Sequence, residues 1–349
     1  MSNYKVSIIV PCYNIDSIDY VDINPFDEMI SSIVNQSFGI ENIEVILVDD
    51  CSTDNTRNLL TDLSLKYPSI KPIFMEKNSG RPSIPRNIGI DNSTTDYIMF
   101  LDQDDRMDLD CVKILYDTII NNPVDIVKSN YSILNGDEIL KYDAGKCGEL
   151  SIEPKSRDMI YLISHFVWGS IFNKEFINNN NIRFPDTQAE DILFLSKCYN
   201  LTDKPIISLN DYYGVIYTAN NNNSVSHSFT LKQIEDYASI YEKCMDEYID
   251  YKQSMEFILF NLERYITVII GSLLRSEEDF NTKKKMIERV RTFILKYREY
   301  DVKLPLMWKI FYKLIIYNKK FIIIFSSRII NMIFENPLFT KLFRNKEYN

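Results

Sequence analysis

The segment Asp102-Gln-Asp-Asp105 places three carboxylates within four residues, directly after the apolar run Tyr97–Leu101. Carboxylates this close repel one another, and a divalent cation with hard oxygen ligands would neutralise that repulsion. Mg²⁺ and Mn²⁺ both prefer such ligands and also bind a diphosphate. The alternative interpretation is an acidic turn that is simply solvated at the surface. The cluster by itself does not decide between the two.

A second pair of carboxylates, Asp49 and Asp50, follows the apolar run Ile43–Val48. An acidic residue at the end of a strand can accept hydrogen bonds from a ribose hydroxyl or a base N–H, as it does in nucleotide-binding α/β folds. The alternative is a structural one, in which Ser52 or Asp54 caps the helix that comes next.

The third polar segment, Asn78–Asn87, combines Gly80 with two prolines and two arginines. A guanidinium group can bind phosphate oxygens in a two-pronged geometry. Arg86 is the stronger candidate for phosphate because it follows Pro85 at an expected helix start. A surface ion pair is the alternative for either arginine.

These polar clusters follow short apolar runs that alternate with helix-like segments over the first hundred residues. Such alternation predicts an α/β fold with a mixed, mostly parallel sheet and helices on both faces. Ligands of such sheets bind beyond the carboxyl ends of the strands, where the clusters lie. The expected strands are residues 6–10, 43–48, 70–75 and 97–101, and the expected helices are 27–36, 53–66 and 85–92.

The remainder of the chain has a different pattern. Short strands at 126–131, 206–209 and 212–218 surround a helix at 191–199, residues 231–300 indicate two or three helices, and a last helical stretch is expected at 307–344. We therefore expect a catalytic domain at 1–229, with a nucleotide-binding half at 1–105 and an acceptor half at 106–229. A helical region would occupy 230–349.

The composition restricts the class of protein. With 45% hydrophobic and 25% charged residues among 349, the chain is typical of a globular protein. Its formal net charge of −10 argues against a general nucleic-acid binder, which needs a positive surface.

The C-terminal segment is basic. Residues 303–349 contain nine Lys or Arg and two Glu, a charge of +7, which leaves −17 for the rest. Basic helices with aromatic residues suit the interface of a membrane. The alternative is an ordinary helix that packs on its own domain or on a second copy of the chain in a homo-oligomer.

The six cysteines are scattered and show no CxxC spacing. We expect reduced thiols and a cytoplasmic protein, which the basic C-terminal helices could attach to the inner face of the plasma membrane. The chain has no uninterrupted apolar run of about 18 residues, so no transmembrane helix is predicted. The N-terminal residues show no apolar signal segment, so secretion is not expected.

Considered together, these segments resemble family 2 glycosyltransferases with the GT-A fold, and the likeness extends from residue 4 to about 230. The nearest likeness is to wall teichoic acid glycosyltransferases, and capsule and lipooligosaccharide enzymes share it. The segments that carry the resemblance are Val6–Asn14, Val48–Asp54, Asn78–Gly80, Pro85–Asn87, Phe100–Asp105, Phe166–Phe172, Ile182–Pro185 and Ala189–Phe194.

The resemblance implies an inverting, metal-dependent transfer of a sugar from a UDP-sugar to a hydroxyl of a bacterial surface polymer or lipid-linked glycan, with Mn²⁺ or Mg²⁺ as the cofactor. It also implies a donor site. Carried over by position, the donor-site residues are Pro11, Tyr13, Asn14 and Asp50 at the uracil and ribose, Asn78 and Arg86 at the nucleotide and phosphates, Asp102 and Gln103 at the ribose or sugar, and Asp104 as the metal ligand.

On the acceptor side, the resemblance implies that Asp191 takes the proton from the acceptor hydroxyl, with Glu190 beside it and Trp168 contacting the acceptor. Ser224 and Ser226 would belong to a loop that closes over the diphosphate. Two features depart from the family pattern. The insertion between Asn14 and Asp27 is long, and Ser224 stands where some relatives have His, for which His227 could substitute.

Two other functions are compatible with the fold. A nucleotidyltransferase shares the sheet and the acidic site, but it normally has a Gly-rich, basic loop after the first strand, where this chain has Pro11–Asn14. A catalytically silent glycan- or lipid-binding protein is the third hypothesis. Loss of the acidic cluster or of Asp191 would favour it, and both are present.

Overall fold

The computed structural model describes residues 4–16, 24–135, 138–141, 148–163, 166–187, 189–218 and 229–334. The chain forms two compact units, Met1–Asn221 and Asn222–Asn349. The first unit contains the sheet, and the second is helical in its described part. The two halves expected within the first unit share one sheet.

Within the described residues, ten strands form one mixed sheet in the order β3-β2-β1-β4-β9-β6-β10-β5, with β7 paired to β6 and β8 to β10. Strands β3, β2, β1 and β4 are parallel to one another. β9 is antiparallel to both β4 and β6, whereas β6 and β10 are parallel. The strands are β1 Val6–Cys12, β2 Ile43–Asp49, β3 Ile70–Phe74, β4 Tyr97–Phe100, β5 Arg106–Met107, β6 Ile126–Asn135, β7 Glu138–Lys141, β8 Glu149–Ile152, β9 Ser170–Asn173 and β10 Ile206–Thr218.

The central strands are apolar along most of their length because helices cover both faces of this part of the sheet. All seven residues of β2 are buried, as are six of the seven in β1. The helices of this unit are α1 Pro25–Val34, α2 Thr56–Lys66, α3 Ser83–Asn92, α4 Cys111–Asn121, α5 Lys174–Asn179 and α6 Glu190–Leu201.

Helix α3 packs closely on β1, and this contact determines where Arg86 lies. A Cβ atom added to Gly89 would lie 2.2 Å from Cγ2 of Ile9, so only glycine allows this approach. The helix begins at Ser83, two residues before the expected start at Pro85. The helix that carries Arg86, three residues before Gly89, is thereby held against the sheet.

One strand prediction was wrong. Residues 206–209 and 212–218 were expected to form separate strands, but β10 runs without interruption from Ile206 to Thr218. Its pairing with β6 shifts register between Leu209 and Tyr213 and again between Tyr213 and Val215. Such bulges bend a strand without ending it.

The second unit contains α7 Leu231–Asp250, α8 Met255–Arg275, α9 Phe280–Lys296, α10 Leu306–Ile316 and α11 Lys320–Phe334. The helical stretch expected at 307–344 is divided in its described part. Two helices are separated at residues 317–319, where Asn318 has a φ of 56°. A left-handed residue ends an α-helix, and asparagine tolerates this conformation better than most.

Helix α8 is long and apolar enough to cross a membrane by length and composition, and it alone meets that test among the described residues. However, 67% of its most apolar 18-residue window is buried within the protein. Leu262, Ile266 and Ile269 are at most 1% exposed. The helix is therefore mostly buried within the helical unit.

Candidate active site

The loops after β1 and β4 are tied together at the carboxyl edge of the sheet. These strands are parallel neighbours, so their ends meet there. The N–H of Tyr13 donates to Oε1 of Gln103 at 2.8 Å, and Nε2 of Gln103 donates to the carbonyl of Tyr13 at 3.2 Å. The Tyr13 side chain is 43% exposed, which leaves its ring accessible beside the acidic turn.

Asn14 joins the end of β1 to the loop after β2. It adopts a φ of 48°, and its N–H donates to Oγ of Ser52 at 2.9 Å. Its Oδ1 accepts from the N–H of Thr53 at 2.8 Å. The side chain therefore supports the loop, a function that the sequence analysis did not identify.

Asp50 supports the third loop. Its carboxylate accepts hydrogen bonds from the N–H and Oγ of Ser79, at 2.8 and 2.9 Å, and from the N–H of Gly80 at 3.2 Å. Nδ2 of Asn78 donates to the Asp50 carbonyl at 2.7 Å. Asp50 was expected to contact the nucleotide directly. It is 4% exposed and accepts three hydrogen bonds, so its carboxylate shapes this loop, and the contact with the nucleotide stays a prediction.

Arg86 lies at the centre of an ion cluster that the sequence analysis did not predict. Its Nη1 is 2.6 Å from Oε1 of Glu190 and 2.7 Å from Oδ1 of Asp191, and its Nη2 is 2.6 Å from Oδ1 of Asp102. The Arg86 side chain is 3% exposed and stacks over the Phe184 ring at 5.3 Å. The expected contact with phosphate stays a prediction, whereas the contact with three carboxylates is part of the structure.

The cluster joins both halves of the sheet. Arg86 is in the first turn of α3, Asp102 follows β4, and Glu190 and Asp191 are in the first turn of α6. Carboxylates at a helix N-terminus are stabilised by the unpaired N–H groups there. Helix packing thus brings together residues that are more than 100 positions apart.

One guanidinium faces three carboxylates, so the cluster carries an excess of negative charge. Burial raises the pKa of the Asp191 carboxyl well above its usual value. Arg86 opposes this rise, and Glu190 and Asp102 add to it. Burial alone would lower the pKa of Arg86, but the three carboxylates outweigh this effect and raise the pKa, so the guanidinium stays charged. A carboxylate with a raised pKa is matched to accepting a proton near neutral pH.

The acidic turn after β4 has a similar excess. Burial raises the pKa of the Asp105 carboxyl well above its usual value, and Asp104 and Asp102 raise it further. Oδ1 of Asp105 accepts from the N–H of Thr218 at 2.9 Å, whereas its buried Oδ2 has no hydrogen-bond partner. A buried carboxylate oxygen beside two other carboxylates is the environment that a hard cation would relieve.

Within the part of the chain that the structure describes, no three His, Cys, Asp or Glu side chains are grouped to hold a metal ion. Mg²⁺ and Mn²⁺ sites in nucleotide enzymes need few protein ligands because phosphate oxygens complete the coordination. The oxygen donors of the turn therefore fit a cation that binds together with a diphosphate.

Trp168 does not have the environment expected of it. The residue is 3% exposed, and its ring stacks with Phe166 at 4.5 Å and Tyr217 at 5.9 Å. It belongs to the core of the first unit, which argues against direct contact with an acceptor. Pro11 lies within β1 and is half-buried. Ser224, Ser226 and His227 lie outside the described residues.

Sequence reasoning missed the structural role of Asp49. Asp49 is fully buried, and its carboxylate accepts from the N–H of Ser52 at 3.1 Å and from Nε of Arg57 at 3.2 Å. Asp54, which was considered as a cap, accepts from the N–H of Thr56 at 3.0 Å. The signal for Asp49 was its position within the apolar strand, since a carboxylate there is buried and needs partners.

Comparison with known proteins agrees with this architecture. Residues 7–172 match the sequence profile described as Glycosyl transferase family 2. A poly(ribitol-phosphate) beta-glucosyltransferase of Bacillus spizizenii is 29% identical over 231 residues, which are 64% of this chain and 34% of that protein. The poly(ribitol-phosphate) beta-N-acetylglucosaminyltransferase TarP of Staphylococcus aureus is 30% identical over 229 residues, 64% of this chain and 66% of that one.

A solved structure shares the fold. The crystal structure of S. aureus TarS 1-349 in complex with UDP-GlcNAc aligns with a TM-score of 0.68 at 22% identity, covering 83% of this chain and 80% of that one. In the sequence comparison, the matched region is about a third of the full length of the Bacillus spizizenii relative and of S. aureus TarS, 34% and 35%. The mixed sheet with flanking helices is therefore the GT-A fold.

Proposed function

Residues 7–172 of this chain form a glycosyltransferase family 2 domain, and from that premise we propose that the protein transfers a sugar from a UDP-sugar to a hydroxyl group with inversion at the anomeric carbon. The observation that supports the proposal most strongly is the ion cluster. Asp191, a partly buried carboxylate with a raised pKa and a side chain that is 15% exposed, is held by an arginine that also binds Asp102 after β4.

We propose a cell-surface polymer of polyol phosphate units, such as a teichoic acid, as the acceptor. The support comes from relatives with 29 to 30% identity whose names specify poly(ribitol-phosphate). For the donor, UDP-GlcNAc and UDP-glucose are the first choices, because one relative transfers N-acetylglucosamine and the other glucose. Capsule and lipooligosaccharide acceptors are the further candidates.

In the proposed reaction, the Asp191 carboxylate accepts the proton of the acceptor hydroxyl. The oxygen then forms a bond to the anomeric carbon while the bond from that carbon to the diphosphate oxygen breaks. UDP leaves with the electron pair from the face opposite the attack, which inverts the configuration. General base catalysis requires the carboxylate within about 3 Å of the attacking oxygen.

Arg86 and Glu190 would act on this step through Asp191. The two short bonds from Nη1 of Arg86 hold the Glu190 and Asp191 carboxylates in fixed positions. The positive charge limits the rise in the pKa of Asp191 caused by burial and by Glu190. Without it, the pKa of the Asp191 carboxyl would rise further, and less of the group would be in the carboxylate form that accepts a proton.

We propose Asp104 as the ligand of Mg²⁺ or Mn²⁺, with Asp102 and Asp105 adding negative charge at the same turn. When bound, the cation would neutralise charge on the leaving diphosphate. Tyr13 and Asn78 would contact the nucleotide beside this turn, and Gln103 would keep the Tyr13 backbone in place.

We also propose a cytoplasmic location, in which the protein binds nucleotide-sugar donors and keeps its cysteines reduced. All five cysteines in the described residues, Cys12, Cys51, Cys111, Cys198 and Cys244, are free thiols. This state agrees with a reducing compartment.

The test is release of UDP from a panel of UDP-sugars, with a poly(ribitol phosphate) oligomer as acceptor and with Mn²⁺, Mg²⁺ or EDTA. We expect metal-dependent release from one donor, accelerated by the acceptor. Release without any acceptor dependence would contradict the acceptor assignment. Absence of both UDP release and UDP binding by calorimetry would contradict the donor class and favour a binding protein.

A further inference from the structure

Helices α10 and α11 expose large apolar side chains to solvent. Leu306 is 78% exposed, Phe321 73%, Tyr317 70% and Phe325 67%. Side chains of this kind normally point into the core of a helical bundle, and a contiguous exposed group marks a contact surface. We call this set, together with the similarly exposed Met307, Ile310 and Ile322, the α10–α11 face.

The face is distinct from the side through which these helices pack. Phe311 and Ile315 are buried at 7% and 0% exposure. The ring of Trp308 lies over α8, where a Cβ added to Gly271 would be 3.3 Å from Cη2 of the indole. Trp308, expected at a membrane interface, therefore anchors α10 to the bundle. The exposed residues of α10 lie on another side of the helix.

Spacing confirms that the α10 part of the face is continuous. Residues 306, 310, 313 and 317 follow intervals of four, three and four, which place them on one side of an α-helix. Leu306, Ile310 and Tyr317 are apolar or aromatic, and Lys313 lies among them. The face thus combines apolar groups with a cation.

Charge is one-sided in this segment. Residues 303–334 contain six Lys or Arg and no Asp or Glu. Lys309, Lys313 and Lys319 are exposed, whereas Lys320 forms an ion pair with Glu288 of α9. A surface of this composition attracts anions as well as apolar groups.

Two occupants could cover such a face, and the charges discriminate between them. A two-fold dimer through this face would place its lysines opposite those of the second copy, which repel. A bilayer with anionic lipids offers acyl chains for the apolar groups and negative headgroups for the lysines. We propose that the α10–α11 face binds the surface of an anionic lipid bilayer.

This inference does not depend on the proposed donor or acceptor, because it rests on a different unit of the chain. It would place the protein on the membrane in a peripheral manner, with the helices lying in the headgroup region. A protein that acts on a lipid-linked acceptor would gain effective concentration from such an attachment.

The test is flotation of the full 349-residue chain with two kinds of vesicle. One kind contains phosphatidylcholine alone. The other also contains 30 mol% phosphatidylglycerol as the anionic probe, which gives roughly the surface potential of a bacterial leaflet. We expect binding to the anionic vesicles that weakens at high salt, and much weaker binding to neutral ones. Equal binding to both compositions, or no binding to either, would overturn the proposal.

Two variants test the charged and the apolar components of the α10–α11 face. Substitution of Lys309, Lys313 and Lys319 by Gln should weaken binding about 100-fold, since each lysine near an anionic surface contributes about 1 kcal/mol. The double variant Phe321→Ser, Phe325→Ser should weaken it at least about 10-fold. All five residues are exposed, so folding should be retained, and circular dichroism would check it.

The matched control replaces three exposed lysines elsewhere in the same unit, Lys232, Lys243 and Lys285, by Gln. It should bind anionic vesicles within about two-fold of the unmodified chain, apart from a small loss of net charge. Equal weakening by this control would show a nonspecific charge effect and overturn the assignment. Sedimentation velocity without lipid completes the test. A dimer that both face variants dissociate, without vesicle binding, would assign the face to a second copy instead.

Discussion

Two carboxylate centres lie at opposite ends of the same sheet, and they are built differently. At the amino ends of the strands, Glu44 is fully buried and accepts from Nζ of Lys71 at 2.5 Å, from Oγ of Ser7 at 2.5 Å, and from the N–H and Oγ1 of Thr94 at 2.8 and 2.9 Å. At the carboxyl ends, Glu190, Asp191 and Asp102 share the single cation of Arg86.

The difference is visible in the pKa values. For Glu44, burial acts to raise the pKa, but hydrogen bonds from Lys71, Ser7 and Thr94 outweigh it and the pKa is lowered. For Asp191, burial raises the pKa and Arg86 does not compensate for it. A carboxylate that serves stability is fully satisfied, whereas one that must take up a proton is left short of positive charge. Four predictions test this contrast.

The largest effect should come from Asp191→Asn. The amide keeps the shape and can still accept from Arg86, but it cannot take the acceptor proton. We expect sugar transfer to fall about 10³-fold or more, with binding of the UDP-sugar within a few-fold of normal. Initial rates and calorimetry would measure the two quantities.

Asp203→Asn, at an exposed carboxylate beyond α6, is the control and should retain full activity. A folded Asp191→Asn variant with near-normal rates would remove this residue from the proposed mechanism.

Arg86→Gln should have the next largest effect, about 10²-fold in kcat, because the two carboxylates lose their common anchor. It should also shift the pH profile. Arg86 lowers the pKa of Asp191, so its loss raises that pKa further, and the acid limb of the kcat profile moves to higher pH. Arg86→Lys keeps the charge and should leave the limb near its normal position. An unchanged limb in the Gln variant, with both variants folded, would show that the arginine does not tune Asp191.

Glu44→Gln tests the other end of the sheet. It removes a charge-assisted ion pair with Lys71 and should lower the free energy of unfolding by about 2 kcal/mol, without changing kcat of the folded protein. The folded pKa of Glu44 is lowered, so its contribution is present above about pH 4.5 and is lost as the pH falls through the folded value. Urea unfolding at pH 7 and at pH 3.5 should show the difference shrinking in acid. A loss of activity at unchanged stability would contradict the contrast.

Features of the site that lie within one short segment were predictable from the sequence, whereas contacts between distant segments were not. The acidic turn and the Asp49-Asp50 pair follow apolar strands directly, so their place at the carboxyl edge was predictable from alternation of elements. The contact of Arg86 with Glu190 and Asp191 spans more than 100 residues. It depends on the packing of α3 and α6, which no spacing in the sequence reveals.

The fold shows the same limit. Strands and helices with strong periodicity were found where expected in the first hundred residues, with ends that differ by a few residues. The continuity of β10 and the break between α10 and α11 were not predicted. Bulges in a strand and a left-handed Asn318 leave little trace in hydrophobic periodicity. Trp168 was assigned to the acceptor by resemblance alone, and its burial among Phe166 and Tyr217 depended on tertiary packing.

The smallest effect, and the finest test of the contrast, should come from Asp105→Asn. The buried Oδ2 of Asp105 has no partner and lies in the field of Asp104 and Asp102. Asparagine keeps an oxygen that can accept from the N–H of Thr218 but removes the charge. In EDTA at pH 7 we therefore expect unfolding to become harder by about 1 kcal/mol, opposite in sign to Glu44→Gln. With Mn²⁺ and UDP present, the unmodified protein should gain more thermal stability than the variant, because the cation offsets the same repulsion.

Differential scanning calorimetry under both conditions would measure this difference in stability, with Asp203→Asn as the neutral control. A lower Tm of the variant in EDTA would mean that the Asp105 charge is compensated like that of Glu44, and the two ends of the sheet would then not differ in the way described.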